Sequence, residues 1–477
     1  MGASMFWYDF ETTGIDASAD RALQVAGIRT DEDLNEIGEP LNIYCRIADD
    51  ILPHPRACLV TGIRPDTLQQ QGLSEAEFFG RLQQEMMQPQ TCSAGYNSLR
   101  FDDEFTRYGL YRNFHDPYAR EWQGGNSRWD ILDALRCAWA LTPDGIEWPQ
   151  NEEGRTSFRL ELLTAANGIE HGQAHDALAD VRATIAMARV LRNAQPALYR
   201  HLYAMRDKNR VHQALRIGRP VLHVSGKQSW QRRYLSVVMP LIQDATNKNA
   251  YVVCDLLEDI QPLLDLSAEQ IRERLYTRRN ELPDGVSPVP LKKIHANKCP
   301  ALAGMDSLNT ERQPWLQVDE AVWRANGRLL MEHLQQVQQK LEEVFSPQAF
   351  TPRQDPEQQL YDGFLNNRDR DLCRAVVQAG AQELAGQPWP FDDQRLPELL
   401  FRYRARNYPH SLSEAEQLRW QTWCRDRLLG IEPGAPRTLA DFEQACNELT
   451  AQERQSGVIQ EWQQHVAAVR QRLGAGI

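Results

Sequence analysis

The 477-residue chain reads as an α/β segment, then a small barrel with helical additions, then an almost wholly helical segment. Three observations predict this. Residues 1–195 alternate strand-like apolar runs with stretches of helical period, antiparallel at the start and joined by crossovers afterwards. Residues 196–350 carry short strand-like runs between turn residues, and residues 351–477 keep to the helical period. Charge also changes along the chain: the three stretches carry −13, +4 and −3 within a total of −12. The expected domains are therefore 1–195, 196–350 and 351–477, in line with roughly 100–200 residues per domain.

The first segment opens on Met5–Phe10, an apolar run closed by Thr12-Thr13-Gly14. It reads as the first strand, with Leu23–Ile28 and Leu41–Ile47 as its partners. Ser74-Glu75-Ala76-Glu77 is a capping box opening a helix through Met87. Thr91–Tyr96 reads as a strand and Phe101–Phe114 as a helix. Helices come next at Ile131–Leu141, at Phe158–Ala166, which Asn167-Gly168 ends, and at the Ala-rich Ala174–Arg192. In the middle segment Pro220–Ser225, Leu235–Leu241, Ala250–Leu256 and Val289–Ile294 read as strands, and Ala268–Tyr276 as a basic helix. Helices are expected in the third segment at Gln358–Leu365, Arg370–Ala379, Leu396–Asn407, Leu412–Leu429, Leu439–Glu448 and Gln460–Leu473.

Composition narrows the function classes. With 42% hydrophobic and 25% charged residues the chain is neither disordered, collagen-like nor a disulfide miniprotein. No apolar run approaches a membrane span, so no membrane association is expected. The start, Met1-Gly2-Ala3-Ser4-Met5-Phe6, has no signal-peptide pattern, and Phe6 stands where myristoylation wants Ser or Thr. Nine scattered cysteines without a CxxC pair suit a reducing cytoplasm. The acidic total argues mildly against bulk nucleic-acid binding, which wants a basic face.

The chemistry concentrates in carboxylates. Asp9 and Glu11 end the first strand two residues apart, hence on one face. An acid two positions from an acid recurs by chance, so this pair alone reads equally as a solvated strand end. Asp102 and Asp103 open a helix, where the macrodipole alone favours acids. Asp176 and Asp180 share a face of the Ala-rich helix, with His175 just before it. Asp180 sits among Ala177, Leu178, Ala179 and Val181, an apolar setting for a solvated acid. Together, four carboxylates can hold two divalent cations about 4 Å apart across a phosphodiester, while a histidine near neutrality takes the proton of the attacking water. Oxygen ligands suit Mg²⁺, with Mn²⁺ as a substitute.

Three stretches carry a resemblance: Tyr8-Asp9-Phe10-Glu11-Thr12-Thr13-Gly14; Gly95-Tyr96-Asn97 with Phe101-Asp102-Asp103-Glu104; and Ala174-His175-Asp176-Ala177-Leu178-Ala179-Asp180. They resemble the exonuclease motifs of the histidine branch of the DEDD superfamily. More narrowly, the whole chain is similar to the bacterial exonuclease I family, single-strand-specific 3′→5′ deoxyribonucleases. Ser157–Glu161, Asn167–His171, His223–Gly226, Asn297–Pro300 and Tyr403–Asn407 extend the likeness over all three segments.

The resemblance implies an RNase H-like exonuclease domain, an SH3-like barrel domain and an all-helical C-terminal domain, forming a C-shaped clamp on single-stranded DNA. It implies Asp9, Glu11, Asp102 and Asp180 as ligands of two Mg²⁺ and His175 as general base. Glu11 and Arg159 would contact the substrate, and Arg107, Tyr118, Trp122 and Arg136 would line the DNA path. Lys208 and Lys298 are further substrate contacts expected in the mildly basic middle segment. The resemblance also implies a processive enzyme releasing 5′-mononucleotides in DNA repair and recombination, with single-strand DNA-binding protein as a partner through its C-terminal tail. A cytoplasmic monomer is expected.

Beside the motifs, Tyr108, Tyr111, Tyr118, Trp122 and Trp129 interleave with Arg100, Arg107, Arg112, Arg120 and Arg128. They read either as a stacking, cationic groove or as core. Arg402, Arg404 and Arg406 would spread around a helix, which suits packing first and DNA second. Rival readings are an RNA-trimming nuclease of the same superfamily, a proofreading subunit, and a silent binding protein on a nuclease fold.

Overall fold

The structure is a computed structural model, describing residues 2–172, 176–309, 311, 314–347 and 352–474. The chain divides into two compact units. One comprises Met1–Ser127, His171–Ile185 and Thr351–Ile477, and the other Arg128–Glu170 and Ala186–Phe350. Each unit is therefore assembled from separate stretches of sequence.

In the first unit, strand β1 (Ser4–Thr12) pairs antiparallel with β2 (Ala22–Thr30) and parallel with β4 (Thr91–Gly95), while β3 (Leu41–Tyr44) pairs antiparallel with β2. The apolar run that predicted β1 is buried along nearly its whole length, as a central strand must be. A register irregularity falls between Glu11 and Thr12, where the strand ends. Ser74 caps the helix Glu75–Met86 by accepting from the Glu77 backbone N–H at 3.3 Å. The reciprocal half of the expected box does not form, because the Glu77 carboxylate accepts from Arg81 instead, at 2.6 Å.

The two ends of the described chain share one core. Leu23, Leu52, Ile63 and Leu68 pack with Leu428, Phe442, Ile459, Trp462 and Val469, and the Trp462 indole donates to the Ile63 carbonyl at 2.9 Å. Beside it lies a buried ion network. Arg406 binds Asp50 at 2.7 Å and also Glu357; Arg21 binds Glu357 at 2.6 Å; Arg402 and Arg427 bind Asp355 at 2.6 and 2.7 Å. Arg404 pairs with Glu416 at 2.8 Å. The arginines at 402, 404 and 406 are thus packing residues, the first of their two readings.

Helix Leu396–Asn407 matches expectation to the residue. The helix expected over Gln358–Leu365 is absent. Only a short 3-10 turn, Pro356–Gln358, forms, and the chain runs irregularly past Gly363, leaving Tyr361 and Phe364 exposed. Helices Pro55–Thr61 and Pro65–Gln71, not foreseen from the sequence, begin on prolines, which are at home in a first helical turn.

Strand β5 (Ser127–Asp130) and the helix Ala177–Ala194 each straddle the unit boundary. The second unit holds a five-stranded antiparallel sheet of order β10-β6-β7-β8-β9, from β6 (Val221–Val224), β7 (Leu235–Gln243), β8 (Ala250–Asp255), β9 (Leu291–His295) and β10 (Ala301–Ala303). Pro240 lies inside β7 without an N–H to donate, and the register slips between Pro240 and Ile242. Helices Ile131–Leu141 and Ala268–Tyr276 match their predicted spans; helices Glu320–Glu332 and Leu334–Val344 were not foreseen. Among the described residues no helix is long and apolar enough to cross a membrane. All nine cysteines are free.

Candidate active site

The end of β1 gathers the acids. One ligand oxygen from each of Asp9, Glu11 and Asp180 lies within 4.8 Å of the others. Period two aims Asp9 and Glu11 to one face, and the first turn of the helix Ala177–Ala194 supplies Asp180. Asp176 caps that helix, accepting from the Leu178 N–H at 2.9 Å. Asp102 stands outside this trio. It opens the helix Asp102–Arg112, and its carboxylate accepts from the Phe10 N–H at 3.0 Å, tying that helix to β1.

Among the described residues, burial and neighbouring acids dominate the electrostatics of this site. Burial, then the charges of Asp102 and Asp180, push the Asp9 carboxyl well above the usual carboxylate range. Burial, then Asp9, Asp180 and Asp176, push Glu11 up to about 9. Crowded, buried oxygens with raised proton affinity are what a divalent cation relieves, so the donor set fits Mg²⁺ or Mn²⁺. His175 lies outside the described residues. His171 is present: its Nε2 lies 2.5 Å from Asp180 Oδ1. Sequence reasoning gave His171 no role, although a histidine nine residues before an acid was there to be read.

Asp103 was also underestimated. Read as a first-turn acid, it is buried between the guanidinium of Arg120, which donates to it, and that of Arg107 at 3.6 Å. Arg107 further binds Glu121 and Glu104, each at 2.8 Å. Its Nη1 also donates to the Tyr361 hydroxyl at 3.2 Å. Tyr118 stacks under Arg107, 5.6 Å from ring centroid to guanidinium, and Trp122 is 66% exposed. Tyr108, Tyr111 and Trp129 are core, and Arg112 is paired with Glu75 at 2.9 Å.

The remaining predicted contacts belong to the second unit. Arg159 is exposed and binds Glu161 through Nε at 2.5 Å. Arg136 binds Asp133 at 2.6 Å and lies over the Phe158 ring. Lys208 and Lys298 are exposed. Lys293 is bound to Asp244 at 2.5 Å, and burial pushes Lys292 down to about 8.

A sheet whose central strand ends on clustered acids, matched over residues 6–188 by the family model described as Exonuclease, defines an exonuclease. Two further models match, Exonuclease I SH3-like domain over residues 206–347 and Exonuclease I C-terminal domain over 354–469. The chain belongs to the exonuclease I family and is an exodeoxyribonuclease, built of an exonuclease domain, an SH3-like domain and a helical C-terminal domain. It is 44% identical over 421 residues to exodeoxyribonuclease I of Escherichia coli strain K12, covering 88% of each chain. E. coli exonuclease I in complex with a dA16 oligonucleotide superposes with a TM-score of 0.94 at 41% identity, over 98% of this chain and 100% of that one. The zinc-ion-bound form of the E. coli enzyme's complex with single-stranded DNA gives 0.93 at 40%, with the same coverage.

Proposed function

We propose that this protein hydrolyses single-stranded DNA from the 3′ end, releasing 5′-mononucleotides, with Asp9, Glu11, Asp102 and Asp180 as ligands of two Mg²⁺ and His175 as general base. The carrying observation is the cluster of Asp9, Glu11 and Asp180 oxygens within 4.8 Å, with Asp9 and Glu11 pushed up by burial and by the charges of neighbouring acids. When bound, divalent cations supply water activation and stabilise the leaving oxygen. The chain's own residues do the rest. The Phe10 N–H orients Asp102, and His171 holds one oxygen of Asp180, so each carboxylate presents a defined face. Glu11 and Arg159 meet the terminal nucleotide, while Arg107, Tyr118, Trp122, Arg136, Lys208 and Lys298 contact the strand.

We place residues 1–195, 196–350 and 351–477 as the three domains. Digestion is processive and serves repair and recombination in the cytoplasm. The protein acts as a monomer and meets single-strand DNA-binding protein through that partner's C-terminal tail. The zinc-bound, strand-bound relative supports metal and strand binding.

The deciding experiment compares 3′- and 5′-labelled single strands and duplexes with and without Mg²⁺. Mononucleotides should appear first from the 3′ label on single strands only. Chelation or Asp180→Ala should abolish them, and equal rates on RNA of the same sequence would sink the reading.

A further inference from the structure

The second unit carries an aromatic–arginine surface that the proposed hydrolytic chemistry does not use. The Arg233 guanidinium sits between two indoles, 4.9 Å from the Trp139 ring centroid and 5.2 Å from that of Trp315. In the same turn Trp230 lies under the Arg155 guanidinium at 4.9 Å. Trp315 is 57% exposed and Trp230 39%. The turn between them is unusual: Arg233 and Tyr234 are consecutive non-glycine residues in the left-handed region, with φ of 51° and 62°. L side chains adopt that conformation rarely, and its persistence is a pointer to use. Its effect is to send Arg233 between the indoles and Tyr234 against Trp139, at 6.0 Å between centroids.

Two exposed indoles on a monomer's surface leave large apolar faces in water. A guanidinium lies over each of them, with Arg233 also donating to the Trp139 carbonyl at 3.1 Å and Arg155 pairing with Glu153 at 3.1 Å, so cationic groups sit beside the exposed rings. Flat π faces beside cationic edges match a ligand with flat rings on an anionic backbone. The stretch 196–350, which supplies three of the four residues, carries a net +4, the complementary sign.

We infer that Arg155, Trp230, Arg233 and Trp315 form a stacking platform for the bases of a single strand, separate in its residues from the carboxylate centre. The platform rests on the proposed reading that the substrate is a single strand.

The test uses Trp315→Ala and Trp230→Ala in the full chain, with Trp315→Phe as the conservative control. The probes are twenty-residue and three-residue oligothymidylates with Mg²⁺. The three-residue probe is spent on the hydrolytic centre, whereas the longer one has bases to spare. Each alanine variant should raise KM on the long probe about tenfold, leave kcat and both constants on the short probe unchanged, and be rescued by phenylalanine. An unchanged KM on the long probe overturns the platform, as does an equal loss on both probes. So does an unchanged KM combined with lost binding of an acidic peptide with an apolar C-terminus, which would make the surface a protein-docking site. Fluorescence anisotropy of the long probe in EDTA separates the two readings. Wild type that binds but never cleaves sinks the hydrolytic reading alone; tenfold weaker binding by Trp315→Ala then still supports the platform.

Discussion

Glu11 illustrates what one residue's surroundings do. Pushed up to about 9, its carboxyl keeps a proton at neutral pH in the cation-free protein. A raised folded-state pKa contributes stability fully below the unfolded value, and that stability is lost as pH rises through about 9. A cation needs the anion, so its binding releases protons and tightens as pH climbs toward that value. Mg²⁺ should therefore raise the melting temperature more at pH 8.5 than at pH 6.5, a difference calorimetry would resolve and Glu11→Gln should shrink. Asp103 makes the complementary case. Asp103→Asn strands two buried arginines and should cost about 3–5 kcal/mol in urea unfolding. The double change Asp103→Leu with Arg120→Met should recover much of it. Nothing in the local sequence separates a solvated first-turn acid from this one, because its partner Arg120 lies seventeen residues away. Asp9, Glu11 and Asp180 were legible because two sit at period two on a strand end and the third sits among alanines.

At the scale of elements, legibility tracked strength of period. Ile131–Leu141, Ala268–Tyr276 and Leu396–Asn407 have sustained apolar spacing and came out as read. Gln358–Leu365 has the spacing too, but Asp355-Pro356 caps only a single turn and Gly363 interrupts the residues beyond it. The strand Ser127–Asp130 is too short to show alternation. Packing between elements left one readable trace afterwards. Gly109 sits where an added Cβ would lie 1.9 Å from the Phe79 ring. Gly109→Ala should overpack this contact by about 1–3 kcal/mol and, by displacing the helix that begins at Asp102, lower turnover more than it raises KM. Thermal melts and steady-state kinetics on the same preparation would check both.

For the molecule as a whole, the sequence suggested three consecutive blocks, while compactness groups the first and last stretches together. Besides their shared apolar core, what joins them is long-range charge that no local window displays. Burial would raise Glu357, yet Arg406, Arg21 and Arg402 outweigh it and hold its carboxyl well below the ordinary range. A depressed pKa gives stability that is present above the unfolded value and lost as pH falls through the folded one. Glu357→Gln should thus cost about 3–5 kcal/mol at neutral pH, with the deficit narrowing in acid. Denaturation curves at pH 7 and pH 3 would measure it.

The shared core of Leu23, Leu52 and Ile63 with Phe442, Trp462 and Val469 has a consequence for how the protein is made. Ribosomes add roughly 5–20 residues per second, so the apolar partners of the first sixty residues arrive some 20–80 seconds after them. Throughout synthesis the early segment presents an unfinished hydrophobic face. Trp462 and its neighbours close it only once they have emerged. The core of the carboxylate-bearing unit is therefore completed only after residues 442–469 have been added.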